Sequence, residues 1–266
     1  MTPDPRSNGF DATPPETLRR LSESQQAQYF SEGYFLFKNA LSVAEVEAMR
    51  EAGDVLEAER EAELRREHDG HFLINRADEI TFTTHVVTRS EVAHRFAQLE
   101  VFKDLCSDLI GPGAILYWDQ LVYKKPETDE EFPWHQDNGY TFVSPEAYLT
   151  CWVPLTEATE ENGCPWVIPR AHLLGTLKHW STPLGLQCVN SSDELPNTPA
   201  AVEASPGDIV VFSSLTPHRT GPNLTDACRK AFILQYAARG AVMHPRGGDP
   251  IQLPFDDRRH ISMAIA

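Results

Sequence analysis

The sequence lacks the cysteine pattern of a disulfide framework or a structural zinc site. Its five cysteines are odd in number and scattered, and no two of them form a C-x-x-C pair. It also lacks an apolar run of about 18 residues, the length that crosses a membrane. The opening segment MTPDPRSNGFDATPPE has no apolar stretch of the kind found in export signals. We therefore expect a cytoplasmic protein without disulfides or a membrane span.

Positive charge is scarce in this chain. There are 39 acidic and 23 basic residues, which gives a net charge of -16. A field of this sign repels nucleic acids and anionic lipids, so we expect neither as a partner and favour a small-molecule substrate. The sequence has no internal repeat and no mid-chain linker, which predicts a single domain over residues 1–266 and favours a monomer. Residues 1–18 are rich in proline and predict a flexible arm.

The N-terminal part of the chain carries helix signals. Ser22 with Gln25, and Ser42 with Glu45, have the spacing of capping boxes. The second box precedes apolar residues at helical spacing and then a mixed-charge stretch, which together predict one long helix over 43–67. The charged stretch itself is typical of a solvated helix face.

Short β-type runs dominate the rest of the chain. A helical region that begins at Ser90 ends at Gly111-Pro112-Gly113, and strand-like segments then alternate with turn signals. The runs are AILYWDQLVY, YLTCWVPL, CPWVIP, AAVEA, DIVVFSS and AFILQYAA. Many short strands without intervening helices predict an all-β core, an antiparallel sandwich or barrel, with the N-terminal helices packed outside.

A histidine and an aspartate stand two residues apart in FPWHQDNGY, at His135 and Asp137. Side chains alternate across a strand, so an extended segment would point both to one face, where they could chelate a divalent ion. A structural polar pair is the alternative interpretation. His218 is the favoured third ligand because it follows GDIVVFSSLTPH, a run that predicts a buried strand and turn. The other downstream histidines are His172, His179, His244 and His260.

An arginine follows His218 closely in the sequence. If residues 218–220 and 229–237 form neighbouring antiparallel strands, His218, Thr220 and Arg229 converge on one pocket, where the guanidinium requires an anion such as a carboxylate. Two histidines and a carboxylate on one side of an ion leave three positions open, as in the non-haem iron(II) oxygenases. Zinc is the alternative metal, although zinc hydrolases need a water-activating base and have no use for this arginine.

These motifs, in this order, resemble the phytanoyl-CoA dioxygenase (PhyH) family of Fe(II)/2-oxoglutarate dioxygenases. The similarity runs from about Leu21 to Ala238. It is strongest in PWHQD, NGCPWVIPRAHLLGTLKH, SPGDIVVFSSLTPH and the H-x-T-x8-R pattern that ends at Arg229. The resemblance implies a double-stranded β-helix, the jelly-roll fold of cupins, with the N-terminal helices outside it.

The resemblance also implies roles for individual residues. The implied iron(II) ligands and catalytic residues are His135, Asp137 and His218. The implied 2-oxoglutarate contacts are Arg229 and Thr220 at the distal carboxylate, Trp152 along the pocket, and Gln120, Tyr123 and Lys125 as candidates on the strand at 114–125. His172 is interpreted as structural. Segment 71–87 is implied to form the substrate-facing wall, and Arg76 within it is expected to pair with Asp78 or Glu79 at the surface rather than to bind a substrate carboxylate.

The implied reaction is hydroxylation of an aliphatic C–H bond in a small metabolite or a natural-product intermediate of secondary metabolism. Iron(II) would be the cofactor, and 2-oxoglutarate and O2 would be consumed with release of succinate and CO2. Ascorbate would support the reaction in vitro. Halogenases of the family replace the carboxylate ligand by a small residue, so Asp137 disfavours halogenation. A non-oxidative, cupin-like metal-binding protein or sensor is the alternative function.

Overall fold

The computed structural model describes residues 1–10, 12–146, 148–190, 196–245, 248–253 and 261–263. Its helices lie mainly in the N-terminal part of the chain. They are α1 (Glu23–Glu32), α2 (Val43–His68), α3 (Glu91–Phe96), α4 (Glu100–Leu109) and α5 (Asp137–Tyr140), with 3-10 turns at Val86–Thr88 and Ala171–Leu174.

The strands are short and distributed along the whole chain. They are β1 (Tyr34–Phe37), β2 (His71–Phe72), β3 (Asn75–Arg76), β4 (Ile80–Thr84), β5 (Ile115–Lys124), β6 (Phe132–His135), β7 (Phe142–Ser144), β8 (Leu149–Pro154), β9 (Pro165–Val167), β10 (Trp180–Thr182), β11 (Gly185–Gln187), β12 (Ala200–Ala201), β13 (Ile209–Ser213), β14 (His218–Thr220), β15 (Arg229–Ala237), β16 (Val242–His244), β17 (Ile251–Gln252) and β18 (Ile261–Ser262).

The capping boxes that the sequence predicts are both formed. Ser22 and Ser42 each accept a hydrogen bond from the backbone N–H three residues on, and the side chains of Gln25 and Glu45 bond back to the cap. Gly33 ends α1 in the left-handed conformation. The long helix α2 matches the predicted range 43–67 to within one residue, because local side chains fix its start.

Two antiparallel sheets form the core of the described fold, which confirms the predicted all-β core with flanking helices. The larger sheet has the strand order β1-β13-β8-β15-β5-β4-β3-β2, and β18 pairs with β5. The smaller sheet, of order β12-β9-β14-β6, lies opposite it. The β10–β11 hairpin and the sheet β17-β16-β7 lie beside them.

The larger sheet has two buried faces. In β5, Leu121 and Tyr123 pack in the same cluster as the helices, whereas Val122 packs in the cluster between the two sheets. In β15, Phe232 faces the helices and Ile233 faces the smaller sheet. Because side chains alternate along a strand, one face of the larger sheet packs against the helices and the other faces the smaller sheet. The space between the two sheets can therefore enclose a site.

One predicted strand pairing is wrong. β14 and β15 were expected to be neighbours, yet β14 pairs with β6 and β9, and β15 pairs with β5 and β8. The segment between them crosses from the smaller sheet to the larger one. His218 and Arg229 consequently approach each other across the space between the sheets rather than along one sheet.

The first residues of the predicted flexible arm lie against the body of the protein. Pro3 bridges to Leu177. The hydroxyl of Ser7 and the backbone N–H of Asn8 donate to the carboxylate of Glu146 at 2.7 and 2.6 Å. This carboxylate is buried, so the arm supplies hydrogen bonds that water cannot provide there.

Two predictions about what the chain lacks can be compared with the structure. All five cysteines are free thiols, and four of them are buried. Within the described residues, no helix combines the length and the apolar character needed to cross a membrane.

Gly33 provides a test of how the first helix is held against the core. Its φ is +87°, and a Cβ atom there would lie 2.5 Å from Nδ1 of His172 and 2.7 Å from the hydroxyl of Thr216. We expect Gly33→Ala to lower the free energy of unfolding by about 2–4 kcal/mol, because backbone strain and overpacking add. Gly240 is the control: its φ is +81°, but no atom lies within 4 Å of an added Cβ, so an alanine there introduces backbone strain without overpacking. Gly240→Ala should cost only about 1 kcal/mol in urea unfolding followed by circular dichroism, and equal losses in the two variants would contradict the packing argument.

Candidate active site

Three polar side chains meet between the two sheets. His135 ends β6, Asp137 is the first residue of α5, and His218 begins β14. The carboxylate Oδ1 of Asp137 lies 3.8 Å from Nε2 of His135 and 3.7 Å from Nε2 of His218. These three donor atoms lie within 4.8 Å of one another. His135 and Asp137 do face the same side, but strand alternation is not the reason. The strand ends at His135, and the helical turn that begins at Asp137 brings this carboxylate back to the side of the histidine.

Hydrogen bonds to backbone carbonyls fix both imidazoles. Nδ1 of His135 donates to the carbonyl of Pro133 at 2.8 Å, and Nδ1 of His218 donates to that of Thr216 at 3.0 Å. Each Nε2 therefore keeps a lone pair that points toward Asp137. Burial lowers the pKa of His135 to about 3 and that of His218 to about 4, so both rings are neutral at physiological pH. Neutral imidazoles are the form that binds a metal ion.

A hydrogen bond to its second oxygen orients the carboxylate of Asp137. The hydroxyl of Thr150, on β8, donates to Oδ2 at 2.7 Å, which leaves Oδ1 facing the histidines. Burial raises the pKa of Asp137, while the electrostatic interaction with His135 and hydrogen bonds from Thr150 and Gln235 act in the opposite direction. Two neutral nitrogen donors and one carboxylate oxygen on one side of a common point fit a divalent ion such as iron(II).

A chain of hydrogen bonds continues beyond the carboxylate. The hydroxyl of Tyr148 bonds to that of Tyr117, which donates to Oε1 of Gln235 at 3.2 Å, and Gln235 in turn bonds to Asp137. The sequence interpretation missed these three residues. The sequence does contain an indication of Gln235. It is the one amide in the apolar run AFILQYAA, and it lies an even number of residues from Arg229, so both side chains are expected on the same face of the strand.

Arg229 is buried without a hydrogen-bond partner. Only 1% of the residue is exposed, and none of its three guanidinium nitrogens has a partner among the described residues. Its guanidinium carbon lies 5.5 Å from the ring centroid of Trp152, and burial lowers its pKa to about 10. A buried cation with free donors is costly, and a bound anion would remove that cost.

One narrow cavity joins the guanidinium to the three donor atoms. The side chains that line it include Arg229, Thr220, Trp152 and Gln120 together with the His135, Asp137 and His218 cluster. The structure therefore brings together seven of the eight site residues that the sequence predicts, although Thr220 and Arg229 reach the cavity from opposite sheets.

The eighth residue, Tyr123, lies elsewhere, and the prediction for it is wrong. Its side chain is on the helix-facing side of β5, where its hydroxyl donates to Oδ1 of Asp54 at 2.8 Å. Lys125, the other candidate from that segment, bonds to Glu57 and Glu61 on α2. Neither lines the cavity, because a one-residue difference in strand position turns a side chain to the opposite face.

The other candidate histidines do not join the cluster. His172 is buried and its Nε2 lies 3.2 Å from the carbonyl of Phe30, consistent with the structural interpretation. His179 accepts from the backbone of Gln136, and His244 lies beside Ser144. His260 is outside the described residues.

Arg76 forms a surface ion pair, as expected. It lies 3.2 Å from Glu79 and also pairs with Glu130, while Asp78 pairs with Arg65 instead. Its guanidinium is thus already compensated by two carboxylates.

A second, larger cavity of about 580 Å³ opens from His135 and Asp137 toward the surface. The hairpin β2–β3 and strand β4 form part of its wall, in agreement with the expected role of segment 71–87. The arrangement provides a metal-binding cluster with an anion pocket on one side and room for a substrate on the other.

The fold, this donor set and the sequence family together define a class of protein, the Fe(II)- and 2-oxoglutarate-dependent oxygenases. A sequence profile of the family described as Phytanoyl-CoA dioxygenase (PhyH) matches residues 29–231. The chain belongs to this family, and it is an iron- and 2-oxoglutarate-dependent dioxygenase. The non-oxidative binder or sensor is not favoured by these relationships.

Several curated relatives are enzymes that are named for phosphorus compounds. A methylphosphonate hydroxylase of Gimesia maris is 28% identical over 222 residues, which cover 82% of this chain and 81% of that protein. A 2-aminoethylphosphonate dioxygenase of uncultured bacterium HF130_AEPn_1 is 30% identical over 139 residues, and the match covers 52% of this chain and 51% of that protein.

Solved structures with the same fold include the epimerase SnoN in complex with Fe3+, alpha ketoglutarate and nogalamycin RO. It has a TM-score of 0.70 at 21% identity, with 91% of this chain and 98% of that chain covered. EctD from S. alaskensis with 2-oxoglutarate and 5-hydroxyectoine has a TM-score of 0.68 at 21% identity, covering 90% and 87% of the two chains.

The contact from Thr150 to Asp137 can be tested by an isosteric change. Thr150→Val removes the donor while keeping the side-chain volume, so the carboxylate loses its orientation, and we expect Mn(II) binding measured by calorimetry to weaken about 10- to 100-fold. Thr83→Val is the matched control, since the buried Thr83 hydroxyl has no partner among the described residues. Equal Mn(II) affinity in the two variants would show that Thr150 does not support the cluster.

Proposed function

We propose that the protein hydroxylates an aliphatic C–H bond of a small organic molecule and that His135, Asp137 and His218 hold the iron(II). The observation that carries this proposal is the narrow cavity that joins the three donor atoms to the unpartnered guanidinium of Arg229. Bound iron(II) with 2-oxoglutarate supplies the oxidising power, with O2 consumed and succinate and CO2 released.

In this proposal Arg229 binds the distal carboxylate of 2-oxoglutarate. A dicarboxylate with a 2-oxo acid at its other end can span the narrow cavity, so that one carboxylate meets the guanidinium while the opposite end reaches the metal-binding cluster. Thr220 offers a hydroxyl beside the carboxylate, and Trp152 covers the guanidinium. Gln120 lines both cavities and is assigned to the boundary between cosubstrate and substrate.

The protein's further contribution is placement of the substrate in a water-poor space. The larger cavity borders His135 and Asp137, so a C–H bond held there lies beside the cluster. Aromatic side chains such as Phe82 and Phe132 form its inner wall and exclude water. Halogenases of the family have a small residue in place of this carboxylate, so the presence of Asp137 favours hydroxylation over halogenation.

The alternative metal functions leave Arg229 unexplained. A zinc hydrolase or a metal-binding sensor needs the three donor atoms but gains nothing from a buried guanidinium without a partner. Such a group persists only if a ligand compensates it in the working protein.

The relatives suggest one substrate class and the cavity allows another. Two curated relatives are named for phosphonates, which makes a phosphonate one candidate substrate. A larger uncharged organic molecule is the other. An acyl-CoA is disfavoured, because the chain carries a net charge of -16 and CoA phosphates require a basic surface.

The assignment of the iron ligands predicts which histidines are essential. We expect His135→Ala and His218→Ala to abolish succinate formation in the presence of Fe(II), 2-oxoglutarate and ascorbate, because each removes one donor atom of three. His244→Ala serves as the control, since this half-buried histidine bonds to Ser144 outside the cluster. Normal succinate formation and O2 uptake in His218→Ala would refute the assignment.

The role of Arg229 predicts a selective effect on the cosubstrate. Arg229→Ala should raise the 2-oxoglutarate concentration needed for half-maximal succinate formation more than tenfold, because losing one end of a buried charged pair costs about 2–5 kcal/mol. Arg239→Ala, at an exposed arginine, should leave that concentration unchanged. An unchanged requirement in Arg229→Ala would place the cosubstrate elsewhere.

A further inference from the structure

The larger cavity is unusually rich in aromatic side chains for a site that would bind a small anion. Its wall includes Phe72, Phe82, Tyr117, Trp118, Phe132 and Tyr140. Such rings contribute large apolar surfaces and contact ring-containing or aliphatic ligands favourably. Two residues of the outer wall, Phe72 and Leu73, remain 41% and 72% exposed, so they offer apolar area that a ligand can cover.

Each arginine that lines this cavity among the described residues is paired with a carboxylate. Arg60 forms an ion pair with Glu63 at 3.0 Å, and Arg89 forms one with Glu59 at 2.8 Å. Arg60 also lies over the ring of Phe72, with 6.0 Å from its guanidinium carbon to the ring centroid. Asp137 adds a negative charge at the inner end. A doubly charged phosphonate would lose its water here without gaining an uncompensated partner.

The size of the cavity leads to the same conclusion. A volume of about 580 Å³ is in the range that holds drug-sized ligands, whereas methylphosphonate has only a few heavy atoms and would leave most of the space unfilled. The buried guanidinium of Arg229 cannot serve a phosphonate either, since it lines the narrow cavity that the cosubstrate requires.

We infer that the substrate is an uncharged, ring-containing organic molecule that packs against the aromatic wall, and that it is not a phosphonate. This inference rests on the proposed function, because it places the substrate beside the His135, Asp137 and His218 cluster. It separates this chain from relatives of similar sequence that are named for phosphonates. Phe72 and Leu73, on the β2–β3 hairpin, are specificity-determining residues in this view.

The test measures binding separately from turnover. The full chain with Fe(II) and 2-oxoglutarate is titrated under nitrogen with flavone, with 2-naphthol and with methylphosphonate by calorimetry. At least one of the two aromatic probes should bind at least tenfold more tightly than methylphosphonate. If neither binds at least tenfold more tightly, or if methylphosphonate stimulates succinate formation, the inference is overturned while the proposed oxygenase function stands. Aromatic binding in a protein that consumes no O2 with any probe would instead reject the oxygenase function and leave the description of the cavity intact.

Three variants test the residues that carry the inference. Phe72→Ser should weaken binding of the aromatic probe about fivefold, whereas Trp180→Ser, at an aromatic residue that is similarly exposed (37%) but does not line the cavity, should change it less than twofold. Equal effects of the two would contradict the role of Phe72.

The charge argument has its own variant. Glu63→Gln releases Arg60 from its ion pair and should strengthen methylphosphonate binding about threefold. No gain in methylphosphonate binding would contradict the charge argument.

Discussion

The pairing of β6 with β14 is the contact on which the rest of the site depends. It places His135 opposite His218 across two antiparallel strands, although the two residues are far apart in the sequence. Arg219, between His218 and Thr220, points away from the site and lies 5.3 Å from the ring centroids of both Trp134 and Trp166. These cation–π contacts connect β14 to the strands on both of its sides and hold the third donor atom in place.

The interior of the protein contains charges that it compensates in different ways. Lys124 is 1% exposed, and burial lowers its pKa to about 7, yet its amine donates to the carbonyls of Glu130 and Gly221. Asp137 receives hydrogen bonds from its neighbours. Arg229 alone among these three lacks any hydrogen-bond partner in the described structure. The difference is physical evidence for a ligand, because the fold compensates the buried charges of Lys124 and Asp137 with its own groups.

Much of this architecture could be predicted from the sequence because it depends on neighbouring residues. The caps at Ser22 and Ser42 bond to groups three positions along the chain, so their spacing was sufficient to predict the helices. The change from helical apolar spacing to short β-type runs between turn signals predicted the all-β core. The resemblance of the ordered motifs to the PhyH family implied the cluster of His135, Asp137 and His218, whereas the residues alone left a structural polar pair as the alternative.

The sequence by itself thus determined the elements, the donor atoms and the need for an anion beside Arg229. Only the tertiary structure decided which strands are neighbours, which face of β5 meets the cavity and what supports the cluster. Tyr123 was misplaced because a shift of one residue reverses the direction of a strand side chain, and the hydrogen bonds from Tyr148 to Asp137 were invisible because they join four separate segments. The ion pairs and the size of the substrate cavity likewise depend on residues of distant elements. The local sequence pattern contains no information about which of these residues meet.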